Sequence, residues 1–577
     1  MAQSAVRRLP RVALWLLCLA YILPGFLGRE PWRNNDMETF GYIAELAKGA
    51  SSWLHPQLLG QATQTEALLP YWLGAWAVHW SPTTVAIDFA ARIPFILLLG
   101  MTLATTWYAV YYLARSPRAQ PVAFAFGGEA KPTDYARAMA DGGLLAMIAC
   151  LGLAQLSHET TPALAQLAFT SLAFFAMSAL PYRTWIPAAG IAIGLAGLAL
   201  SGAPAMAVFL GLGGALVCFL DRHDQPDRSE LDIPHSAQRS MAWSIAIILL
   251  TTAVAALAWR LDLWRWRIDL PETNGANIRG ILRLLLWFTW PVWPLAIWTL
   301  WRWRKQLTSG NFGRHLALPL WFVAVALGTT LSTNFADRSL LLALPAMATL
   351  AAFALPTLSR TVSALVDWFT LLFFTIFALT IWVIWFAAQT GIPQQPAANL
   401  ARLVPGFIPY FSWPTFLPAL LASLVWVWLV QWRVGRHRSA IWKSLVLPAG
   451  GTALCWLLLM TLGLPAVDYA RSYVPMVRSV SQEIRAQSQQ AGESGCVAFE
   501  NLNRGQIAAF QYHGQLKLKP IADGAQCDWL LVDATTARPP RGSLDLSPWS
   551  LRLNVRRRDD NGENIRLYQR KDMRKNY

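Results

Sequence analysis

Thirteen apolar runs, each about as long as a membrane-spanning helix, constrain this chain more than any other feature. A helix crossing the hydrocarbon core needs about 20 predominantly apolar residues. The first run reaches from Arg11 to Gly28, and the others fall near 87–114, 138–156, 162–181, 184–201, 203–220, 240–259, 282–301, 316–332, 339–356, 361–388, 413–432 and 444–463. The pieces at 184–201 and 203–220 are short and also fit a re-entrant path. Composition agrees with a membrane chain. Only 14% of residues are charged, against about 25% in soluble domains, and mean hydropathy is +0.35. This excludes an ordinary cytosolic enzyme, a disordered protein and a nucleic-acid binder. The 30 Trp and 26 Phe suit lipid interfaces.

The net charge of +16 is read through topology, because basic residues collect in loops left in the cytoplasm. Arg7, Arg8 and Arg11 precede the first run, which places the N-terminus inside. No small-x-small cleavage site follows, so this run is expected to stay as a helix and not to act as a removable signal. Thirteen spans then finish outside. The loops assigned to the cytoplasm carry Arg115, Arg118, Lys131 and Arg137, then Arg302, Arg304, Lys305 and Arg314, then Arg433, Arg436, Arg438 and Lys443. The external turns 157–161 and 201–204 carry no Lys or Arg. One external loop, 260–281, breaks the pattern with Arg260, Arg265, Arg267 and Arg279.

Two stretches are neither spans nor linkers. In 29–86, the segments Asp36 to Lys48 and Leu68 to Trp80 read as amphipathic helices lying in the membrane interface. The polar C-terminal region mixes a helix, Val474 to Gln490, with strand-like runs at Cys496 and Trp529, and reads as a small α/β domain outside the membrane. The division is thus 1–464, a transmembrane part including loop 29–86, and 465–577, a soluble part. Cys18, Cys150, Cys218 and Cys455 sit in apolar runs as small hydrophobes. If the C-terminal region is external, Cys496 and Cys527 are the disulfide candidates. The fold class expected is an all-α polytopic membrane protein with a small C-terminal α/β domain.

Polar groups cluster at the outer ends of these spans. Asp36 and Glu38 follow the first run directly; Asn35 or Asp36 suits a helix cap, and a carboxylate there also suits a general base acting on a hydroxyl. Glu66 opens an apolar stretch, either as a cap or facing a partner or substrate. His158 and Glu159 fill a short turn beside lipid, where Thr160 or Thr161 can cap the helix at Pro162 but the His–Glu pair marks a candidate site. Arg338, beside Asp337, offers a bidentate fork for a phosphate. Arg260, Arg265 and Arg267 either add to that positive potential or snorkel to headgroups.

These features in this order resemble the GT-C membrane glycosyltransferases, in the superfamily of the lipid A aminoarabinose transferases and protein O-mannosyltransferases. The resemblance is carried by Pro31-Trp-Arg-Asn-Asn-Asp36, by Trp53-Leu-His-Pro-Gln-Leu-Leu-Gly60 through Leu69-Pro-Tyr-Trp72, by Phe288-Thr-Trp-Pro-Val-Trp-Pro and by Arg338-Ser-Leu-Leu-Leu-Ala-Leu-Pro. It covers about residues 10–460 and is sharpest at 29–80. It implies that Asp36 is the catalytic base, with Glu38 and Glu66 beside it, and that His158, Glu159, Arg338, Arg265, Arg267 and Tyr71 bind substrate. Ala67 stands where relatives carry a Lys after the Glu, and Ala163 where they often carry an Asp.

The implied reaction is sugar transfer from a polyprenyl-phosphate donor to a lipid A-like or other envelope acceptor on the periplasmic face of a bacterial inner membrane. Arg338 holds the donor phosphate, and inversion occurs at the anomeric carbon. No Walker-type or Gly-rich phosphate loop occurs. Some members of the superfamily use a divalent metal, and no ligand spacing for one is visible in the sequence. The competing class is a transporter or lipid flippase without chemistry, which tends to show paired halves with Gly/Pro-broken helices. A structural subunit whose outer domain binds a partner is a third class, and it leaves 29–80 without a role.

Overall fold

The apolar runs fold as helices, which satisfy every backbone donor and acceptor within one segment in hydrocarbon. The computed structural model describes residues 3–121, 130–221, 237–264, 275–308, 313–333, 337–434, 440–491, 496–521, 527–534, 545–556 and 562–571. Helix α1 (Arg11–Ile22) leads into a loop bearing α2 (Asn35–Ala47), a two-residue hairpin of β1 (Gln57–Leu58) and β2 (Gln61–Ala62), and α3 (Leu69–Trp80). Then come α4 (Ile87–Ala114), α5 (Pro132–Ala149), α6 (Leu151–Leu156), α7 (Pro162–Ala179), α8 (Trp185–Leu200), α9 (Pro204–Leu220) and α10 (Ala237–Arg260). The bundle continues through α11 (Gly275–Phe288), α12 (Val292–Arg302), α13 (Arg304–Thr308), α14 (Arg314–Ser332), α15 (Asp337–Leu341), α16 (Leu344–Ala354), α17 (Arg360–Thr390), α18 (Gln394–Leu403), α19 (Trp413–Val434) and α20 (Val446–Leu459).

Among the described residues, seven helices are long and apolar enough to cross a membrane: α4, α7, α10, α14, α17, α19 and the Ile441–Leu459 helix that contains α20. An eighth is formed if α11 and α12, bent by 88°, count as one broken span. Helices α1, α8, α9 and Leu344–Thr357 are apolar but shorter. The chain is a multi-pass membrane protein; seven or eight of the thirteen expected spans meet the length and composition test. Several expected runs are interrupted. The run 138–156 breaks at Cys150 between α5 and α6, and 282–301 turns at Trp290-Pro291, where a proline without an N–H cannot continue the helix ladder.

Close helix packing rests on small residues. A Cβ on Gly194 of α8 would lie 2.8 Å from the Ala173 backbone nitrogen of α7, so these two helices meet nearly backbone to backbone. Helices α17 and α19 instead present Leu365, Leu372, Ile376, Leu421 and Trp428 outward, as lipid-facing helices do.

Beyond α20, α21 (Leu464–Arg471) and α22 (Val474–Ala491) lead to a five-stranded sheet. Strand β3 (Val497–Glu500) is followed by α23 (Arg504–Tyr512), β4 (Leu518–Pro520), β5 (Trp529–Asp533), β6 (Trp549–Arg556) and β7 (Asn564–Arg570). The strand order is β4-β3-β5-β7-β6, with β3 parallel to β4 and β5, and β7 antiparallel to β5 and β6. The two buried parallel strands read as apolar runs, Val-Ala-Phe and Trp-Leu-Leu-Val, because both faces are covered. Asn503 caps α23 through a reciprocal pair with Gln506. The expected disulfide forms between Cys496 and Cys527, at the starts of neighbouring strands β3 and β5. Closing a loop of 31 residues stabilises by about 3–4 kcal/mol in the chain-entropy model. The double variant Cys496→Ser/Cys527→Ser is therefore expected to expose the C-terminal sheet to limited proteolysis at lower denaturant than the parent. Identical cleavage midpoints would show that the crosslink contributes nothing.

Candidate functional site

The chain leaves α1 and turns under its own first loop around one arginine. Arg29 is fully buried, and its side chain donates to the carbonyls of Gly25 (2.9 Å), Glu30 (3.1 Å) and His158 (2.6 Å) and to the Asp36 carboxylate (2.5 Å). Its guanidinium also lies over the Trp32 ring at 4.5 Å. Asp36 in turn accepts from the backbone N–H of Trp32 at 3.0 Å and of Thr160 at 2.8 Å. One carboxylate thus joins the first loop to the turn 157–161. Arg92 of α4 closes the knot by donating to the Arg29 carbonyl at 2.6 Å while pairing with Asp88.

This is not the open general base that the sequence suggests. Asp36 is 1% exposed with both carboxylate oxygens engaged. Burial alone would raise its pKa, but the charges of Arg29 and Arg92 and the hydrogen bonds from Arg29 and Trp32 hold it below the ordinary aspartate value. Nor is it simply a helix cap, since no side-chain cap bond forms at the start of α2. The residue before α2, Asn34, takes φ 67° and ψ −126°, a region that side-chain-bearing residues rarely enter. Asn35 and Asp36 then serve different partners, Arg338 and Arg29.

Helix α2 is also not a half-submerged interfacial helix. It is buried on most of its surface, packed between α3 and α23 of the C-terminal domain. A Cβ on Gly41 would fall 2.5 Å from that of Ala508, so only glycine lets α23 approach this closely. Phe40 meets Tyr512 edge-to-face at 4.6 Å. The sequence suggests an interfacial helix because the surface that covers α2 lies more than 450 residues downstream. The same contact zone is extended by Asp468, which accepts from Glu30 N and Trp32 Nε1, and by a bridge between Trp32 and Ser472.

Around this anchor sit the remaining candidates. Glu159 pairs with Arg338 at 3.3 Å, and both side chains are partly accessible at 17% and 33% exposure. With its amide oxygen turned inward, Asn35 accepts from both terminal nitrogens of the same guanidinium. Burial raises the Glu159 pKa, opposed by Arg338. Burial likewise raises that of Glu38, opposed by the Arg504 charge and the Gln64 N–H. Tyr42 donates to the Ala62 carbonyl at 3.0 Å and receives a bond from Arg504. Tyr71, buried, stacks obliquely on Tyr42 at 5.5 Å, and its pKa is raised first by burial and then by the negative charge of Glu38, with Glu66 a smaller contributor. Charge thus links Glu159 to Arg338 and Asp36, and Tyr71 to Glu38 and Glu66, with Arg338 acting on both Glu159 and Glu38.

His158 departs from its expected substrate-binding role. It is 2% exposed, wedged among Tyr21, Phe26 and Trp456, with Nε2 2.9 Å from the Tyr21 carbonyl. Burial lowers its pKa to about 3, and the ring packs as a plug beside the turn. Arg265 and Arg267 lie outside the described residues, and Arg260 is exposed at the end of α10. Arg29, Tyr42 and Arg504 are not singled out by the sequence, and Asn35 is marked there only as a helix cap. The clue for Arg29 was an arginine seven residues before an aspartate at the end of an apolar run, whereas nothing local marks Arg504. Among the described residues, no three His, Cys, Asp or Glu side chains converge as metal ligands.

Together these elements define a class of fold: a helical membrane bundle whose first loop is packed between its own spans and a C-terminal sheet domain. No protein-family model matches the sequence, and no curated protein matches it. In three dimensions the chain is similar to ArnT from Cupriavidus metallidurans in the apo state, with 13% identity, a TM-score of 0.58 and 96% of each chain covered. It is equally similar to ArnT from Cupriavidus metallidurans bound to undecaprenyl phosphate, at 12% identity and TM-score 0.58, over 96% of this chain and 97% of that one. The chain has the ArnT fold from its first helix into its C-terminal domain.

Proposed function

We propose that the protein is a glycosyltransferase that moves a sugar from a polyprenyl-phosphate-linked donor to a lipid A-like or other envelope acceptor at the periplasmic face of the inner membrane. The observation that carries this reading is the end-to-end likeness to ArnT, one of whose structures is bound to undecaprenyl phosphate. The acidic and basic groups gathered at the start of α2 support it. The alternative, a transporter or flippase, gives no reason for a carboxylate cluster held between a membrane loop and a sheet domain.

In this reading Arg338 is the phosphate clamp, and Glu159 occupies it at rest. A donor phosphate displaces Glu159, because a doubly accepting phosphate matches the guanidinium fork better than one carboxylate oxygen at 3.3 Å. Glu159 and Thr160 share one turn, so its displacement draws the Thr160 N–H off Asp36. The freed oxygen of Asp36 then takes the acceptor's hydroxyl proton while the acceptor oxygen bonds to the anomeric carbon. The bond from that carbon to the phosphate oxygen breaks with inversion, leaving polyprenyl phosphate on Arg338. Glu38 and Glu66, with Tyr71, line the acceptor side. The division into a membrane part, 1–464, and a sheet part, 465–577, follows the same reading, with Arg504 supplied by the second to the first.

Removing the resting occupant tests the clamp. Glu159→Gln is expected to lower the donor KM by about 2–5-fold, the worth of a partly exposed ion pair. The raised pKa of Glu159 sets the pH dependence. On acidification, Glu159 protonates before an ordinary glutamate with pKa 4.5 and releases Arg338. The parent's donor KM should therefore fall between neutral pH and 4.5, while that of Glu159→Gln stays flat. A rise in KM for the variant would show that Glu159 helps to bind donor and does not compete with it. Transfer of radiolabelled sugar from a polyprenyl-phosphate donor tests the activity itself.

A further inference from the structure

A cavity of about 890 Å³ lies at the opposite end of the bundle from Asp36. Its walls include Ala5, ahead of α1, and Leu447 at the start of α20, whereas Asp36 follows the far end of α1 and Leu464, beyond α20, contacts Gly28. Three basic residues line it, Arg360 at the start of α17, Arg433 near the end of α19 and Lys443 ahead of α20. Among the described residues of the wall the opposing carboxylate is Asp367, which pairs with Arg433. Three positive charges less one negative leave a surplus of two. Arg433 Nε is buried and makes no hydrogen bond among the described residues, so the pair with Asp367 does not exhaust its donors. Ser363 and Ser444 share a 2.6 Å hydrogen bond in the same wall and add hydroxyls to the set.

Apart from Ser359 the rest of the described wall is apolar, and it opens sideways. Trp368 lines the cavity yet is 65% exposed, on a helix face shared with Leu365 and Leu372 that faces the hydrocarbon. A free inorganic anion has no use for such a wall. A lipid does, with its headgroup among the cations and its chain along α17. Basic pockets between transmembrane helices hold anionic lipid headgroups by this combination, and the volume lies within the range of small-molecule pockets.

We propose that this cavity binds the phosphate headgroup of an anionic membrane lipid, as a site separate from the glycosyl-transfer centre. The ligand's phosphate oxygens accept from Arg360, Arg433 and Lys443, and its acyl or isoprenoid chain runs out past Trp368. The proposal does not rest on the transfer reaction.

Native mass spectrometry of the full chain in detergent micelles tests it, with phosphatidylglycerol, undecaprenyl phosphate and phosphatidylcholine titrated separately. At least one of the two phosphate lipids with net negative charge is expected to bind more tightly than phosphatidylcholine, and which one identifies the source. Arg360→Gln/Lys443→Gln removes two of the cations and is expected to weaken that binding roughly 30-fold. It leaves the Arg433–Asp367 pair in place, so the fold is kept. Trp368→Ala should weaken it further by removing the chain's wall. Equal retention of phosphatidylcholine, unaltered binding by the double variant, or an equal loss in the control Arg302→Gln/Arg304→Gln, which lies outside the cavity, would each overturn the proposal.

Discussion

Asp36→Asn is expected to lose sugar transfer by about 100- to 10,000-fold, the range that a positioned general base contributes. The same change is expected to destabilise the protein by about 3–5 kcal/mol, because it strands the buried Arg29 charge. Both losses follow from one carboxylate that accepts from Arg29, Trp32 and Thr160 while fully enclosed. The two roles separate in a second variant. Arg29→Lys disrupts the anchor but leaves the carboxylate, so it should lose stability with a smaller fall in kcat. The pH dependence has a defined sign. A depressed pKa means that the ion pair's stabilisation is fully present above the ordinary aspartate value of 3.8 and disappears as pH falls through the lower folded-state value. Asp36→Asn lacks this component, so its stability should fall less steeply than the parent's below pH 3.8. Thermal unfolding across pH together with transfer kinetics measures all three; a variant as active as the parent would remove Asp36 from the chemistry.

Arg338→Ala carries the second large effect, an expected rise of about 10- to 100-fold in donor KM, from loss of a charged hydrogen-bonding partner worth about 1.5–3 kcal/mol. Arg338→Lys should recover only part of it, because an ammonium cannot reproduce the two-pronged contact with a phosphate. Stability should change less than in Asp36→Asn, since Arg338 is one-third exposed and its partner Glu159 is 17% exposed, against the fully enclosed Arg29–Asp36 pair. Donor titrations at saturating acceptor give the KM. An unchanged KM in Arg338→Ala would assign the phosphate to another cation, with Arg504, which acts on Glu38, and Arg471, which acts on Glu159 after Arg338 and Arg29, the candidates.

The membrane class and the elements around the site were legible because they depend on local pattern. Apolar length announced α4, α7 and α17; helical spacing announced α2; short strand-like apolar runs and two cysteines announced the sheet and its crosslink. The residues gathered at the site were partly legible for the same reason, since Asp36, Glu159 and Arg338 are ionisable groups at span ends, where each is costly unless it has a partner. What the sequence concealed was who the partners are. Arg29 and Thr160 close on Asp36 from 7 and 124 residues away. Arg504 reaches Tyr42 from the far domain. His158 carried a functional signature but was recruited by Tyr21, Phe26 and Trp456 as packing. Breaks inside apolar runs, at Cys150 and Trp290-Pro291, were masked by continuous hydropathy, which registers composition and not direction.

The central claim is that this chain breaks the sugar–phosphate bond of a polyprenyl-phosphate donor and does not merely move the lipid. Purified protein in sealed proteoliposomes, given a donor labelled in both sugar and lipid phosphate together with an envelope lipid extract, decides it. The account predicts that the sugar label moves to an acceptor while the phosphate label stays on free polyprenyl phosphate, and that Asp36→Asn abolishes this separation. Both labels staying on one intact donor, redistributed between leaflets at a protein-dependent rate, would contradict it.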